Sequence, residues 1–411
     1  MIKTKISVIA MVLASFNAGC HNNTMPKPEP GNIVMTRKLL NLVKAGNAFT
    51  FNLFSKIPDS QGHNVLISPL SISLALSMTL NGADGSTKSN IINTLGLNGL
   101  SVDEISQIYF DLVSALKKAD SNVVMEIANS IWIKKEYPVL ESFITASQNY
   151  YDARVQSLEF NQAALVTINN WVSEKTNGKI PIILNQISAD EIMFLINAIY
   201  FNGKWQIQFD KSNTEEDAFT LSTGLSATVP LMMIKEHFGY SEQPGYRALK
   251  MPYGNGKFEM VMLLPDEGKS ADQLAQQLNP SVWENLKMSL ASDSKVDVWI
   301  PRFKFSWDSE LKDILSSLGM AVAFSKTEAN FFKINATDQL YISKVKHKSF
   351  IEVNEEGTEA TAATSVAIGV TSMGPGGARF HATRPFLFFI TEEDTGAILF
   401  AGKVENPLVI N

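Results

Sequence analysis

The chain has 411 residues, 45% of them hydrophobic, with 35 basic and 41 acidic side chains and a formal net charge of −6. The charges form no basic block, which argues against a nucleic-acid partner. The length allows a large core that needs no cross-links, and a single cysteine excludes an internal disulfide.

In chain order, Lys3 and Lys5 precede an apolar run over 6–16 that is too short to span a bilayer as a helix. The run ends in Asn17-Ala18-Gly19-Cys20. Small residues before a lone cysteine resemble a bacterial lipoprotein cleavage site. On that resemblance 1–19 is a signal peptide, Cys20 the lipidated residue, and 20–35 a polar, proline-containing tether. The expected location is an exported lipoprotein on the outer membrane or cell surface. Asn17 occupies the place where such sites usually carry leucine, so a periplasmic or secreted protein is the alternative.

The region 36–411 is expected to form one domain, since neither a long linker nor an internal repeat interrupts it. Helical spacing, with Leu39, Leu42, Val43, Phe49 and Phe51 as core positions, predicts a helix over 36–54. A short strand over 64–67 leads into Ser68-Pro69-Leu70-Ser71, where a hydroxyl cap and a first-turn proline open a helix to 80. Helices follow over 87–95 (stopped by Gly96), 101–118 and 164–176, with a strand over 123–133. The second half turns to strands. These are 194–201, a hairpin of 246–252 and 258–264 around Gly254-Asn255-Gly256, then 296–305 and 340–353. The last two flank a helix over 309–318, and strands over 386–390 and 397–401 close the chain. Helices first and strands later predict an α+β domain with mixed sheets.

Catalytic chemistry is hard to find. His21, His63, His237, His347 and His381 show no metal-ligand spacing, and no Gly-x-Ser-x-Gly elbow is present. The stretch 82–87 lacks the glycine spacing and Lys-Ser/Thr ending of a phosphate loop. No cofactor, metal or enzymatic activity is expected. The informative segment is Glu355-Glu356-Gly357-Thr358-Glu359-Ala360-Thr361-Ala362-Ala363-Thr364-Ser365. Read with period two, Thr358, Ala360, Ala362 and Thr364 share one face. Such small side chains suit either an exposed loop or a strand laid over a packed core, so the segment is a candidate switch.

Several stretches after the tether carry a combined signal. They are Asn64-Val65-Leu66-Ile67-Ser68-Pro69-Leu70-Ser71-Ile72, Asn197-Ala198-Ile199-Tyr200-Phe201-Asn202-Gly203-Lys204-Trp205 and Leu249-Lys250-Met251-Pro252-Tyr253. Ile300-Pro301-Arg302-Phe303-Lys304-Phe305, Leu318-Gly319-Met320, Val345-Lys346-His347-Lys348, the 355–364 stretch and Ala401-Gly402-Lys403-Val404-Glu405-Asn406-Pro407 follow in order. Their order and separation are highly specific, and together they resemble the serpin superfamily over essentially the whole chain after the tether.

The resemblance implies an α+β serpin fold of about nine helices and three β-sheets, with an exposed reactive-centre loop at about 356–380. It implies a monomeric suicide inhibitor that traps its target protease as a covalent acyl complex. By register from Gly357 the attacked bond is Thr371–Ser372, with Val370–Thr371 and Met373–Gly374 as rivals. The hinge is Glu355, Glu356, Gly357, Thr358, Glu359, Ala360, Thr361, Ala362, Ala363 and Thr364. The resemblance places Ser68, Ser71, Asn197 and His347 at a shutter, and Trp205 with Glu355 at a breach. Small, mostly uncharged residues around Thr371 suit an elastase-like or subtilisin-like protease, or alternatively a papain-like one. A non-inhibitory binding or carrier protein is the further alternative.

Overall fold

The computed structural model describes residues 31–57, 62–188, 190–337, 339–358 and 377–409. Cys20, the hinge residues 359–364 and the Thr371–Ser372 bond lie outside the described residues. Nine α-helices and fifteen strands form among the described residues.

Hydroxyls start the helices. Thr36 accepts the Leu39 N–H at 3.2 Å ahead of Arg37–Phe54. Ser68 accepts that of Ser71 at 3.4 Å ahead of Pro69–Leu80. Ser101 and Glu104 form a reciprocal box ahead of Val102–Ala119. Gly96 ends Gly85–Leu95 at φ 69°, a left-handed stop. Every residue of Pro69–Leu80 is buried, so this helix threads the core and shows no polar face.

One sheet has six strands, ordered Phe303–Glu310, Lys344–Asn354, Gly357–Thr358, Met193–Lys204, Val123–Lys134 and Arg154–Leu158. Helix Gln162–Lys175 and the segment carrying Ile180, Ile183 and Leu184 cover one face, packing on Trp132, Phe194 and Ile196. The other nine strands form a second network. In it, the 18-residue strand Ser226–Gln243 pairs in succession with Glu215–Thr220, Asp293–Pro301 and Tyr246–Tyr253. That long strand joins by hydrogen bonds what was expected as separate sheets, so the strands fall into two networks.

Three local expectations need correction. The run expected as one strand over 296–305 is two, Asp293–Pro301 in the nine-stranded network and Phe303–Glu310 in the six-stranded sheet. Arg302 turns between them, its N–H bonded to the Pro230 carbonyl at 2.9 Å. Pairing with Lys344–Asn354 extends Phe303–Glu310 through residue 310. The helix expected from 309 therefore starts at Lys312, and the strand expected from 340 starts at Lys344.

Candidate functional site

The six-stranded sheet forks. Lys344–Lys348 pairs directly and in parallel with Phe194–Ala198. At the other end the chain reverses after Asn354, and Gly357–Thr358 lies between the same two strands. It is antiparallel to both, with Thr358 opposite Val353 on one side and Gly203 on the other. The sheet is thus closed at one end and parted at the other, with the start of the hinge lodged in the gap.

The reversal has a local cause. Asn354 Oδ1 accepts the N–H groups of Glu356 and Gly357 at 2.9 and 3.3 Å, a side-chain turn typical of Asn. Gly357 has to be glycine because a Cβ there would stand 2.2 Å from the Gly203 carbonyl oxygen.

Side chains from distant segments hold the reversal. The Trp205 indole donates to the Asn354 carbonyl at 3.0 Å and stacks on Tyr253 with ring centroids 4.4 Å apart. The backbone N–H groups of Trp205 and Phe209 donate to the carbonyls of Glu356 and Glu355 at 2.9 and 3.0 Å. Glu355 is only 2% exposed and accepts from Arg302 Nε at 2.7 Å, from Arg302 Nη2, and from Thr214 Oγ1 at 2.5 Å. Burial opposes ionisation of Glu355, but the Arg302 and Thr214 hydrogen bonds outweigh it and hold its pKa below the usual value. Lys211 donates to Glu356 at 2.7 Å. Thr358, also buried, shares a 2.6 Å hydrogen bond with the Tyr253 hydroxyl.

A second polar group lies where the sheet is closed. His347 stands opposite Asn197 in the parallel register. Its Nε2 accepts the Ser68 N–H at 3.1 Å, and the Ser68 hydroxyl donates to the Leu399 carbonyl at 2.8 Å. Ser71 joins through its N–H to Ser68, while its own hydroxyl, though buried, has no partner. Asn197 donates to Asn129 at 2.7 Å, and Asn129 donates to the Tyr151 carbonyl at 3.3 Å. Burial pushes the His347 pKa down to about 3, against a weaker opposing pull from Asp308. The ring is therefore neutral with its proton on Nδ1, an atom that has no hydrogen-bond partner.

Ser68, Ser71, Asn197 and His347 are thus gathered beneath the fork, and Trp205, Glu355, Glu356, Gly357 and Thr358 at its mouth. Sequence reasoning did not mark Asn129, Thr214, Lys211, Arg302 or Tyr253 as site residues. Asn129 carried the one usable signal, an amide inside an apolar strand, the same feature that singles out Asn197. Among the described residues no three His, Cys, Asp or Glu side chains converge as for a metal ion, and no helix is long and apolar enough to cross a membrane.

The described residues thus hold the start of a loop segment in a forked sheet above a buried polar cluster. Residues 44–407 match the family profile described as serpin, serine protease inhibitor, and the chain belongs to the serpin family. Its fold is the serpin fold. A serpin-like protein of Methanosarcina acetivorans is 36% identical over 373 residues, covering 89% of this chain and 86% of that protein. Human Serpin B11 is 35% identical over 391 residues, covering 89% and 99%. The native-state structure of the thermophilic serpin tengpin superposes with a TM-score of 0.83 at 33% identity, covering 92% and 96%. Human thyroxine-binding globulin also reaches 0.83, at 28% identity, covering 90% and 99%. Members of the family are mostly protease inhibitors, not enzymes.

Proposed function

We propose that this protein is a suicide inhibitor of an elastase-like or subtilisin-like serine protease. The observation that carries the reading is the fork. Gly357–Thr358 already pairs with both neighbours; about four more residues fit in the same register between 349–352 and 199–202, and any longer strand requires Lys344–Lys348 to part from Phe194–Ala198.

The protease serine attacks the Thr371 carbonyl. The Thr371–Ser372 peptide bond breaks, an ester to the protease forms, and Ser372 becomes a new amino terminus. The freed segment from Gly357 to Val370, fourteen residues, then adds to the sheet as a strand roughly 46 Å long. The ester-linked protease is carried with it, and its catalytic groups are pulled out of register before water can finish the reaction. New ladder hydrogen bonds and burial drive the step, so the uncleaved state is held kinetically. The inhibitor acts as a monomer. Lipid on Cys20 attaches it to a bilayer.

Likeness to a thyroxine-binding globulin favours one other reading, a carrier that is cleaved without trapping. Incubation with elastase-like, subtilisin-like, trypsin-like and papain-like proteases, followed by intact mass under denaturing conditions, separates the two. A protease-plus-cleaved-chain adduct is expected, and its mass locates the bond. Clean cleavage with every protease still active refutes inhibition.

A further inference from the structure

We infer that the lipid tether holds the reactive-loop end of the molecule towards the bilayer, so that the protein guards the membrane surface and its target is a protease working there. This rests on the proposed attachment through Cys20. Residues 31–33 are held to the body by hydrogen bonds. Gly31 donates its N–H to the carbonyl of Ala119 at 3.1 Å. Ile33 donates its N–H to Asp394 at 2.8 Å. Lys257 fastens the segment from the other side, donating to Asn32 at 2.6 Å and to Asp394 at 2.9 Å. Residues 31–33, expected as part of the 20–35 tether, are therefore clipped to the body.

The clip sits at the parted end of the sheet. Asp120, next to Ala119, accepts the N–H of Asn255 at 2.6 Å. The adjacent Gly254 donates to the Lys204 carbonyl at 2.8 Å. Lys204 is the residue directly opposite Gly357. A short series of contacts thus joins the tether's point of departure to the place where the hinge enters.

Chain length then favours one orientation over the other. Cys20 and Gly31 are eleven residues apart, which limits the tether to about 36–40 Å even when fully stretched. Strand Met193–Lys204 has 12 residues, about 40 Å from the parted end to the closed end. A tether starting at the parted end would have to be drawn out along the whole sheet to bring the closed end to the bilayer instead. The parted end stays within about 40 Å of the lipid however the body turns. A protease working within that distance of the bilayer meets the loop, and trapping carries it towards the closed end, away from the surface.

The test uses the full chain, exported by a bacterial host that processes lipoproteins, purified and placed in vesicles containing a fluorescent acceptor lipid. Lipidation blocks the thiol of Cys20, the only cysteine, so a donor dye can be placed at Gln206→Cys or Lys326→Cys. Gln206 is exposed beside Trp205 at the parted end. Lys326 is exposed and pairs with Asp190, just beyond the start of Met193–Lys204 at the closed end. Several-fold stronger energy transfer from the Gln206→Cys position is expected. Equal transfer, or stronger transfer from Lys326→Cys, overturns the orientation while lipid mass on Cys20 leaves the anchor intact. Absence of that mass overturns the anchor itself and the inference with it.

Discussion

The two hydrogen-bonded networks are built from similar apolar strands but finished differently. In the nine-stranded network, Tyr246–Tyr253, Phe258–Pro265, Phe386–Glu392 and Ile398–Val404 pair antiparallel along nearly their full lengths. The last three are buried at every position. In the six-stranded sheet, Lys344–Asn354 and Met193–Lys204 meet directly only over their first residues and then diverge around a two-residue strand. No ladder pairs join 349–352 to 199–202. Facing edges of this kind are templates for an added strand. One network is complete; the other is built with room for more chain, and its side chains differ accordingly. The mouth of the fork carries ion pairs and short hydrogen bonds, and its foot carries a buried neutral histidine.

The sharpest way to break this contrast is to make the added strand unacceptable. Thr358 is buried between the two strands, so Thr358→Arg places an unpaired charge where the strand must go, at a cost of several kcal/mol. The cleaved product should survive while the covalent adduct falls at least about 100-fold relative to simple cleavage. Undiminished adduct on a denaturing gel overturns insertion at this position.

The foot of the fork should respond to acid. Burial depresses the His347 pKa from its ordinary 6.5 to about 3, so the unfolded chain binds a proton below 6.5 that the folded chain refuses. The stability contributed by the neutral ring is complete above pH 6.5 and declines as pH falls towards the folded value, by about 1.4 kcal/mol per unit. Between about pH 8 and about pH 5 this amounts to about 2 kcal/mol. His347→Asn should therefore flatten the pH dependence of the thermal midpoint over that window, whatever it does to the midpoint itself. A parent-like slope assigns the acid sensitivity elsewhere.

At the mouth, Arg302→Ala strips the buried Glu355 carboxylate of its cation and leaves Thr214 as its remaining side-chain donor. The loss should be about 1–3 kcal/mol, with Arg302 itself half-exposed. A lower thermal midpoint is expected, and Glu355→Gln in the same background should recover part of it by removing the stranded charge. A double variant no better than the single would place the loss in Arg302 packing.

Much of the fold was legible because its signals are local. Ser68 and Pro69 announce a helix start, Gly96 a helix end, and Gly254-Asn255-Gly256 a hairpin, each within a few residues. The split at Arg302 was not legible. Asp293–Pro301 and Phe303–Glu310 read as one run, and only the choice of partner, Ser226–Gln243 for the first and Lys344–Asn354 for the second, separates them. The candidate site divides in the same way. Asn197 stands out as an amide inside an apolar run, whereas His347, set between Lys346 and Lys348, is marked only by the resemblance to serpins. Thr214 and Tyr253 look ordinary until the fold brings them against Glu355 and Thr358, which lie 141 and 105 residues away in sequence.

The Tyr253–Thr358 contact gives the smallest and most discriminating prediction. Tyr253 is fully buried, and burial pushes its phenol pKa well above the ordinary value, so the hydroxyl stays protonated at any working pH. Its ring also supports Trp205 by stacking, and Tyr253→Phe keeps that ring while deleting the oxygen. The Thr358 hydroxyl then loses its 2.6 Å partner, which should cost about 1 kcal/mol. If Thr358 is held in the gap chiefly by its backbone pairing, the variant should melt a few degrees lower while the ratio of adduct to cleaved chain stays unchanged. If the hydroxyl pair instead sets how readily the next residues enter, that ratio should move and the melting temperature should not. Measuring both on the same preparation decides whether the first step into the sheet is governed by the ladder or by one side chain.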